Sequence, residues 1–295
     1  MITVDRCART LCVALAVFPG CSGLPRALSQ PAGPSALALP LARGTGDVQY
    51  LTNVYSGTLV EFDYPKSESS VGSVGFSGGG ECTKGAGTFW VATSHEIAEF
   101  EAGGKTPIRV LEANSSQCAI DPATGDLAAL ISGGVVIFHK ARGKGKVITS
   151  LGEGYFDGYD NKSDLFVDGF SGSGGVELVE FPKGSSKFKE ITTSNAVVFP
   201  GSIQWDGMYL TVSDEGADAI YRYTVSGTKA LLEGTVWLSG ASGCGQTWIA
   251  RPYVYCADAE NNDAEVFKYP AGGSRIAALT GPLHLPVAVV SLRAR

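Results

Sequence analysis

The chain has 295 residues, a formal charge of −6, 44% apolar residues and 18% charged ones. That supplies ample material for a large core, and the acidic balance excludes a general attraction to nucleic acid, whose phosphates are neutralised by Lys and Arg. The 39 glycines suit many tight turns between short strands.

The chain opens with Arg6 and Arg9, then a short apolar run over 11–18, then Pro19-Gly20-Cys21-Ser22. A positive start, a short apolar stretch and a small residue before the cut describe a secretory signal over 1–20. Such a run is far below the roughly 20 apolar residues that cross a bilayer. The Gly20-Cys21 ending resembles a bacterial lipobox, which implies that Cys21 becomes the lipidated first residue of the mature protein. Ser22 in that context implies outer-membrane sorting, as an outer-membrane or periplasm-facing lipoprotein touching the membrane through its lipid alone. Cleavage by ordinary signal peptidase, giving a secreted protein, is the alternative. Residues 21–47 combine the lipid site with a stretch rich in Pro, Ser, Ala and Gly, which reads as a flexible tether.

From Val48 onward one phrase recurs: a turn, a hydrophobic strand, a Gly/Ser/Asn loop, then an aromatic strand. The aromatic strands read Val60-Glu-Phe62, Ala98-Glu-Phe100, Val136-Ile-Phe138, Val179-Glu-Phe181, Ile220-Tyr221 and Val266-Phe267. Markers at 62, 100, 138, 179, 221 and 267 are spaced by 38, 38, 41, 42 and 46 residues. Strand-type patterning at a period of about 40 residues is the signature of a β-propeller with one four-stranded blade per repeat. The reading is an all-β fold, a six-bladed β-propeller over 48–295.

The two ends are complementary. Residues 48–53 match the second strand of a blade, so the first blade lacks an inner strand. Residues 286–292 form a lone inner-type strand with nothing after it. Docking the last strand beside the first closes the ring and pairs backbone groups otherwise left at an open edge.

With Cys7 and Cys12 in the leader and Cys21 the expected lipid site, Cys82, Cys118, Cys244 and Cys256 remain, an even number in an exported chain, so disulfides are expected. Cys244 and Cys256 flank a hairpin centred near residue 250. Cys82 and Cys118 hold nearly equivalent places on neighbouring inner strands. The repeat favours 82–118 with 244–256.

The inner strands begin with Glu81, Gln117, Asp157, Ser202, Gln246 and His284, the candidates for the mouth of a central channel. This mostly uncharged set suits hydrogen bonding to a small polar ligand better than tight chelation. Asp160 and Asp164 bracket a β-turn, where Asp is favoured for local hydrogen bonding. Trp205-Asp206 likewise reads as turn chemistry at an inner hairpin. His95 and His139 fall on outer strands and loops, and the basic run 140–146 reads as a solvated outer turn.

The phrases Asp160-Asn-Lys-Ser-Asp-Leu-Phe-Val-Asp168, Phe199-Pro-Gly-Ser-Ile-Gln-Trp-Asp-Gly207 and Phe267-Lys-Tyr-Pro-Ala-Gly-Gly273 resemble the uncharacterised exported bacterial propellers with NHL-like repeats. The resemblance implies the six-bladed fold and no particular reaction. More distantly, the segment 213–223 is similar to a blade of the gluconolactonase/senescence-marker propellers, which implies a lactone hydrolase with one divalent metal in the channel.

Three functions follow as expectations. The first is a monomeric, non-catalytic binding or scaffold module without a cofactor, contacting a protein or a small polar ligand through loops on a rigid frame. The second is a hydrolase of lactone type holding one divalent cation such as Ca²⁺ through Glu81, Asp157 and Asp214. The third is a propeller lyase with His284 as base.

Overall fold

The computed structural model describes residues 47–292 apart from 55–56, 77, 86, 150 and 172–173. The expected signal, Cys21 and nearly all of the tether lie outside the described residues. The first strand begins at Asp47, one residue before the expected boundary.

In chain order come β1 (Asp47–Asn53), β2 (Thr58–Tyr64) and β3 (Gly72–Gly75), then β4 (Glu81–Cys82), β5 (Thr88–Ala92), β6 (Glu96–Glu101) and β7 (Arg109–Glu112). Next are β8 (Cys118–Ile120), β9 (Leu127–Ile131), β10 (Gly134–Phe138) and β11 (Lys146–Thr149), with β12 (Glu153–Tyr159), β13 (Leu165–Phe170), β14 (Val176–Phe181) and β15 (Lys189–Thr193). The chain continues through β16 (Pro200–Trp205), β17 (Leu210–Asp214), β18 (Ala219–Ser226) and β19 (Lys229–Ser239). It ends with β20 (Cys244–Ala250), β21 (Tyr253–Asp258), β22 (Asp263–Lys268), β23 (Gly273–Ser274), β24 (Ala277–Leu279) and β25 (Pro286–Leu292). A single 3₁₀ turn, His139–Ala141, is the helical exception among the described residues.

Four sheets have four strands each: β25-β1-β2-β3, β4-β5-β6-β7, β8-β9-β10-β11 and β20-β21-β22-β24. A nine-stranded sheet runs β12-β13-β14-β15-β19-β18-β17-β16, with β23 beside β19. Its halves are antiparallel meanders, joined where Thr192 and Thr193 of β15 run parallel to Lys229 and Ala230 of β19. The arrangement is propeller-like. The recurrent markers Phe62, Phe100, Phe138, Val179, Tyr221 and Phe267 fall on β2, β6, β10, β14, β18 and β22, the same place in each antiparallel unit.

Alternation explains the strands. In β2, Leu59, Val60, Phe62 and Tyr64 are buried while Glu61 and Asp63 are partly exposed. Apolar side chains on both faces of the sheets meet the neighbouring unit, so the core is divided into layers between sheets rather than gathered at one centre. Phe89, Val91 and Phe100 pack with Tyr50, Leu59 and Val290, whereas Trp90, Ile97 and Leu111 pack with Leu127, Ala129 and Val136. Leu130 and Val135 meet Leu165, Val167 and Val179, and Phe166, Leu178 and Ile191 meet Val212, Tyr221 and Tyr223 across the nine-stranded sheet. Ile220, Val236 and Leu238 meet Val254 and Phe267. Leu51, Val60 and Phe62 meet Tyr255 and Val266, which brings the first sheet against the last.

The C-terminal strand lies where the repeat requires. β25 is antiparallel to β1, with Leu51 opposite Val289 and Val48 opposite Leu292. It also touches β4 on one side and β20 on the other.

Both expected disulfides are present, with Cα–Cα distances of 5.7 Å for Cys82–Cys118 and 5.3 Å for Cys244–Cys256. The first ties β4 to β8 across two sheets, and the second ties β20 to β21 within one.

Candidate functional site

Two recurrent positions carry most of the polar side-chain work. The residue just after a sheet's first strand caps the following turn. Asp121 accepts from the Ala123 N–H at 2.9 Å and the Thr124 hydroxyl at 2.6 Å. Asp160 accepts from the N–H groups of Lys162 and Asp164 at 2.8 and 2.9 Å. Asp206 accepts from those of Met208 and Tyr209, both at 2.8 Å. These are Asx turns, the chemistry expected of Asp160 and of the Trp205-Asp206 pair.

Asp206 does more than cap. Its second oxygen accepts from Arg222 Nε at 2.9 Å, Arg251 Nη2 at 3.1 Å and the Tyr269 hydroxyl at 2.5 Å, tying β18 to the last sheet. Arg222 also lies over the Tyr209 ring at 4.4 Å. Burial opposes ionisation of Asp206, but the Tyr269 hydroxyl, the two turn N–H groups and Arg222 outweigh it and hold the carboxyl below its usual range.

The second position lies at or near the C-terminal end of the next strand. Asp214 accepts from the N–H groups of Val198, Phe199 and Gly216 at 2.8, 3.0 and 3.1 Å. Asp168 accepts from Phe156 and Gly201, each at 3.1 Å. Asn53 accepts the His284 N–H and donates its amide to the Pro282 carbonyl. Each holds backbone in or just before the first strand of a sheet unit: Val198 and Phe199 before β16, Phe156 in β12 and Gly201 in β16, and 282–284 before β25.

Two of the six candidates, Gln246 and Ser202, are engaged in similar work. The Gln246 carboxamide accepts the Glu81 N–H at 2.9 Å and donates to the Glu81 carbonyl at 2.6 Å, bridging β20 and β4. Ser202 Oγ accepts the Thr247 N–H at 2.8 Å. Gln204, not singled out from the sequence, pairs both ways with the Ile249 backbone at 2.8 and 2.9 Å. Gln117 is partly exposed beside the disulfide, and His284 is exposed at the entry to β25. His95 and His139 are exposed, and the basic run 140–146 joins β10 to β11 at a surface turn.

Glu81 and Asp157 differ from the rest. Glu81 is fully buried; the Thr52 hydroxyl donates to Oε1, while Oε2 has no hydrogen-bond partner. Burial pushes its carboxyl well above the usual range, against the lowering effect of Thr52 and of the Val290 N–H. Asp157 is buried with neither oxygen partnered, and burial raises it too. Its charge also raises the neighbouring Asp168, which burial raises most. Asp168 borders a cleft of about 550 Å³ that is also lined by Glu177 and Glu190 and by the hydroxyls of Ser171, Thr192 and Thr193.

Asp258, Asp263 and Glu265, on β21 and β22, are not among the residues that the sequence singles out. All three are buried, and one carboxylate oxygen from each lies within 4.8 Å of those of the others. Burial, then the Asp258 charge, push Glu265 up to about 7 against the opposing charge of Arg275. The available signal was the alternation Asp263-Ala-Glu265 opposite Asp258.

No family model matches the chain, and no curated protein matches it. Solved structures do. A chain of a nidogen/laminin complex is similar over 83% of this chain and 97% of its own, with a TM-score of 0.64 at 9% identity. A protein of unknown function from Bacteroides caccae matches over 85% of this chain and 100% of its own, with a TM-score of 0.61 at 12% identity. Apo AztD from Citrobacter koseri matches over 84% and 98%, with a TM-score of 0.51 at 7% identity. These likenesses are of fold, and with the sheet arrangement they support a β-propeller.

Proposed function

We propose that this protein is an exported β-propeller of six blades that acts as a non-catalytic binding or scaffold module. In this reading the nine-stranded sheet is two four-stranded blades touching through the short β15–β19 pairing, with β23 an edge addition. Their facing surfaces enclose the cluster of Phe166, Leu178, Val212 and Tyr221, as separate blades would. The NHL-like, lipid-anchored class is part of the same proposal: residues 1–20 are removed, Cys21 carries the lipid, and the monomer sits on an outer membrane or faces the periplasm.

The observation that carries the binding role is the use made of the inner-strand side chains. Gln246 and Ser202 are spent on the backbone of neighbouring strands, so they brace the frame instead of meeting a substrate. Loops on such a frame form the contact surface for a protein or a small polar ligand. Capture from envelope extract by the tagged full-length protein tests this. A partner retained reproducibly and lost on substituting loop residues is expected; hydrolytic turnover of lactones by the purified protein would overturn it.

A second reading, hydrolysis assisted by one divalent cation, is favoured by the unpartnered carboxylate of Asp157. The set expected for it is Glu81, Asp157 and Asp214, but among the described residues these carboxylates do not bring their oxygens within 4.8 Å of one another. The residues therefore fit that metal set poorly. Metal analysis of wild type and Glu81→Gln separates the readings: a stoichiometric ion lost in the variant moves the assignment to the hydrolase. The lyase reading rests on His284, which stands exposed at the entry to β25 with its backbone N–H held by Asn53.

A further inference from the structure

We propose that Asp258, Asp263 and Glu265 form a Ca²⁺ site on the β21–β22 hairpin, apart from the inner-strand candidates. Strand register puts the three side chains together. Asp258 lies directly opposite Asp263, and Glu265, two residues further along, lies opposite Cys256. Side chains two apart on a strand share a face, so the three carboxylates project to one side.

Two oxygens point to a ligand. Asp263 Oδ1 and Glu265 Oε2 have no hydrogen-bond partner, although the residues are only 8% and 1% exposed. A buried carboxylate oxygen with no partner carries a desolvation cost that a cation would offset. Asp258 is already oriented: it accepts from the N–H groups of Glu260 and Asn261, each at 2.9 Å, and from the Ser242 hydroxyl at 3.2 Å and Asn261 Nδ2 at 2.9 Å.

The charge balance favours a divalent ion. Three carboxylates face one cation, Arg275, whose Nη1 lies 2.7 Å from Glu265 Oε1 and 3.5 Å from Asp263 Oδ2. Asp218 and Glu260 lie close by and add negative charge. The Arg275 side chain is 44% exposed, so it can turn towards solvent when an ion enters. The donors are hard oxygens at a turn with further oxygen groups in Ser242 and Asn261, which suits the flexible coordination of Ca²⁺. The nearby sulfurs of Cys244 and Cys256 are joined in a disulfide and offer no thiolate for a softer metal.

Calorimetric titration of CaCl₂ into EDTA-stripped full-length protein tests the site, with Asp263→Asn, Glu265→Gln, Arg275→Gln and Glu81→Gln beside wild type. One equivalent should bind with a Kd of about 10⁻⁴–10⁻³ M, as in extracellular modules. Asp263→Asn and Glu265→Gln should each weaken binding by about tenfold or more, equivalent to about 1.4 kcal/mol. Removing the competing guanidinium in Arg275→Gln should tighten it, a gain that a damaged fold does not produce. Glu81→Gln should leave it unchanged. No calcium heat in wild type, unchanged affinity in Arg275→Gln, or loss in Glu81→Gln would each overturn the proposal. The capture experiment for the binding role is read separately, so either conclusion can fail alone.

Discussion

The side chain of Asn53, at the end of β1, accepts the His284 N–H at 2.9 Å while its amide donates to the Pro282 carbonyl at 2.7 Å. One residue near the start of the described chain thus fixes the backbone that leads into its last strand, 231 positions later. Replacing Asn53 by Ala leaves two backbone groups without these partners. A loss of about 1–3 kcal/mol is expected, read as a lower thermal midpoint.

Removing the strand itself should be far more damaging. A chain ending at Gly281 loses Ala288, Val289 and Val290, all fully buried, and leaves the β1 edge unpaired. Each buried valine contributes about 1.5–3 kcal/mol against a domain stability of only about 5–15 kcal/mol. Aggregation or a greatly lowered midpoint is expected in a melting experiment. A soluble product with the wild-type melting curve would contradict the role given to β25.

The disulfides should differ in weight. Cys82 and Cys118 are 36 residues apart, whereas Cys244 and Cys256 are 12 apart. The longer loop restricts the unfolded chain more, by about 1 kcal/mol in the loop-entropy account. Denaturant titration of the two double Cys→Ala variants should show the 82/118 pair to be the costlier loss.

Asp206 should make stability depend on acid. Its carboxyl is held below the usual range in the folded protein, so its contribution is fully present above the unfolded value near 4. That contribution is lost as pH falls through the lower folded value. Asp206→Asn should therefore cost about 1.5–3 kcal/mol at pH 7, typical of hydrogen bonds to a charged group, and much less near pH 2. Chemical denaturation at both pH values checks this. An equal cost at both would show that charge is not what Asp206 contributes.

Lipidation is tested apart from the fold. If Cys21 is the lipid site, Cys21→Ser should abolish palmitate labelling and leave an unprocessed precursor. Unchanged labelling would remove the anchor from the proposal.

Strand identity and repeat register were legible because each strand carries its own alternation and each turn its own Asp or Gly. Local alternation made Phe62, Phe100 and Phe138 strand residues, and their spacing of 38 residues placed them on equivalent strands. The partnership of β25 with β1 was legible because each end of the repeat lacked what the other held. The cysteine pairs followed from that register. None of these inferences needed a side-chain conformation.

Only the tertiary structure decided what the polar side chains do. Gln246 and Glu81 are 165 residues apart, and no local pattern says that a carboxamide on β20 closes on the backbone of β4. The same holds for Asp206, whose turn-capping oxygen was readable locally but whose other oxygen meets Arg222, Arg251 and Tyr269 from three separate segments. Unpartnered oxygens on Asp157, Asp263 and Glu265 are likewise a property of packing. Periodicity specifies the strands because their order is local; partnership and desolvation depend on which distant groups the closed packing brings within about 3 Å of one another.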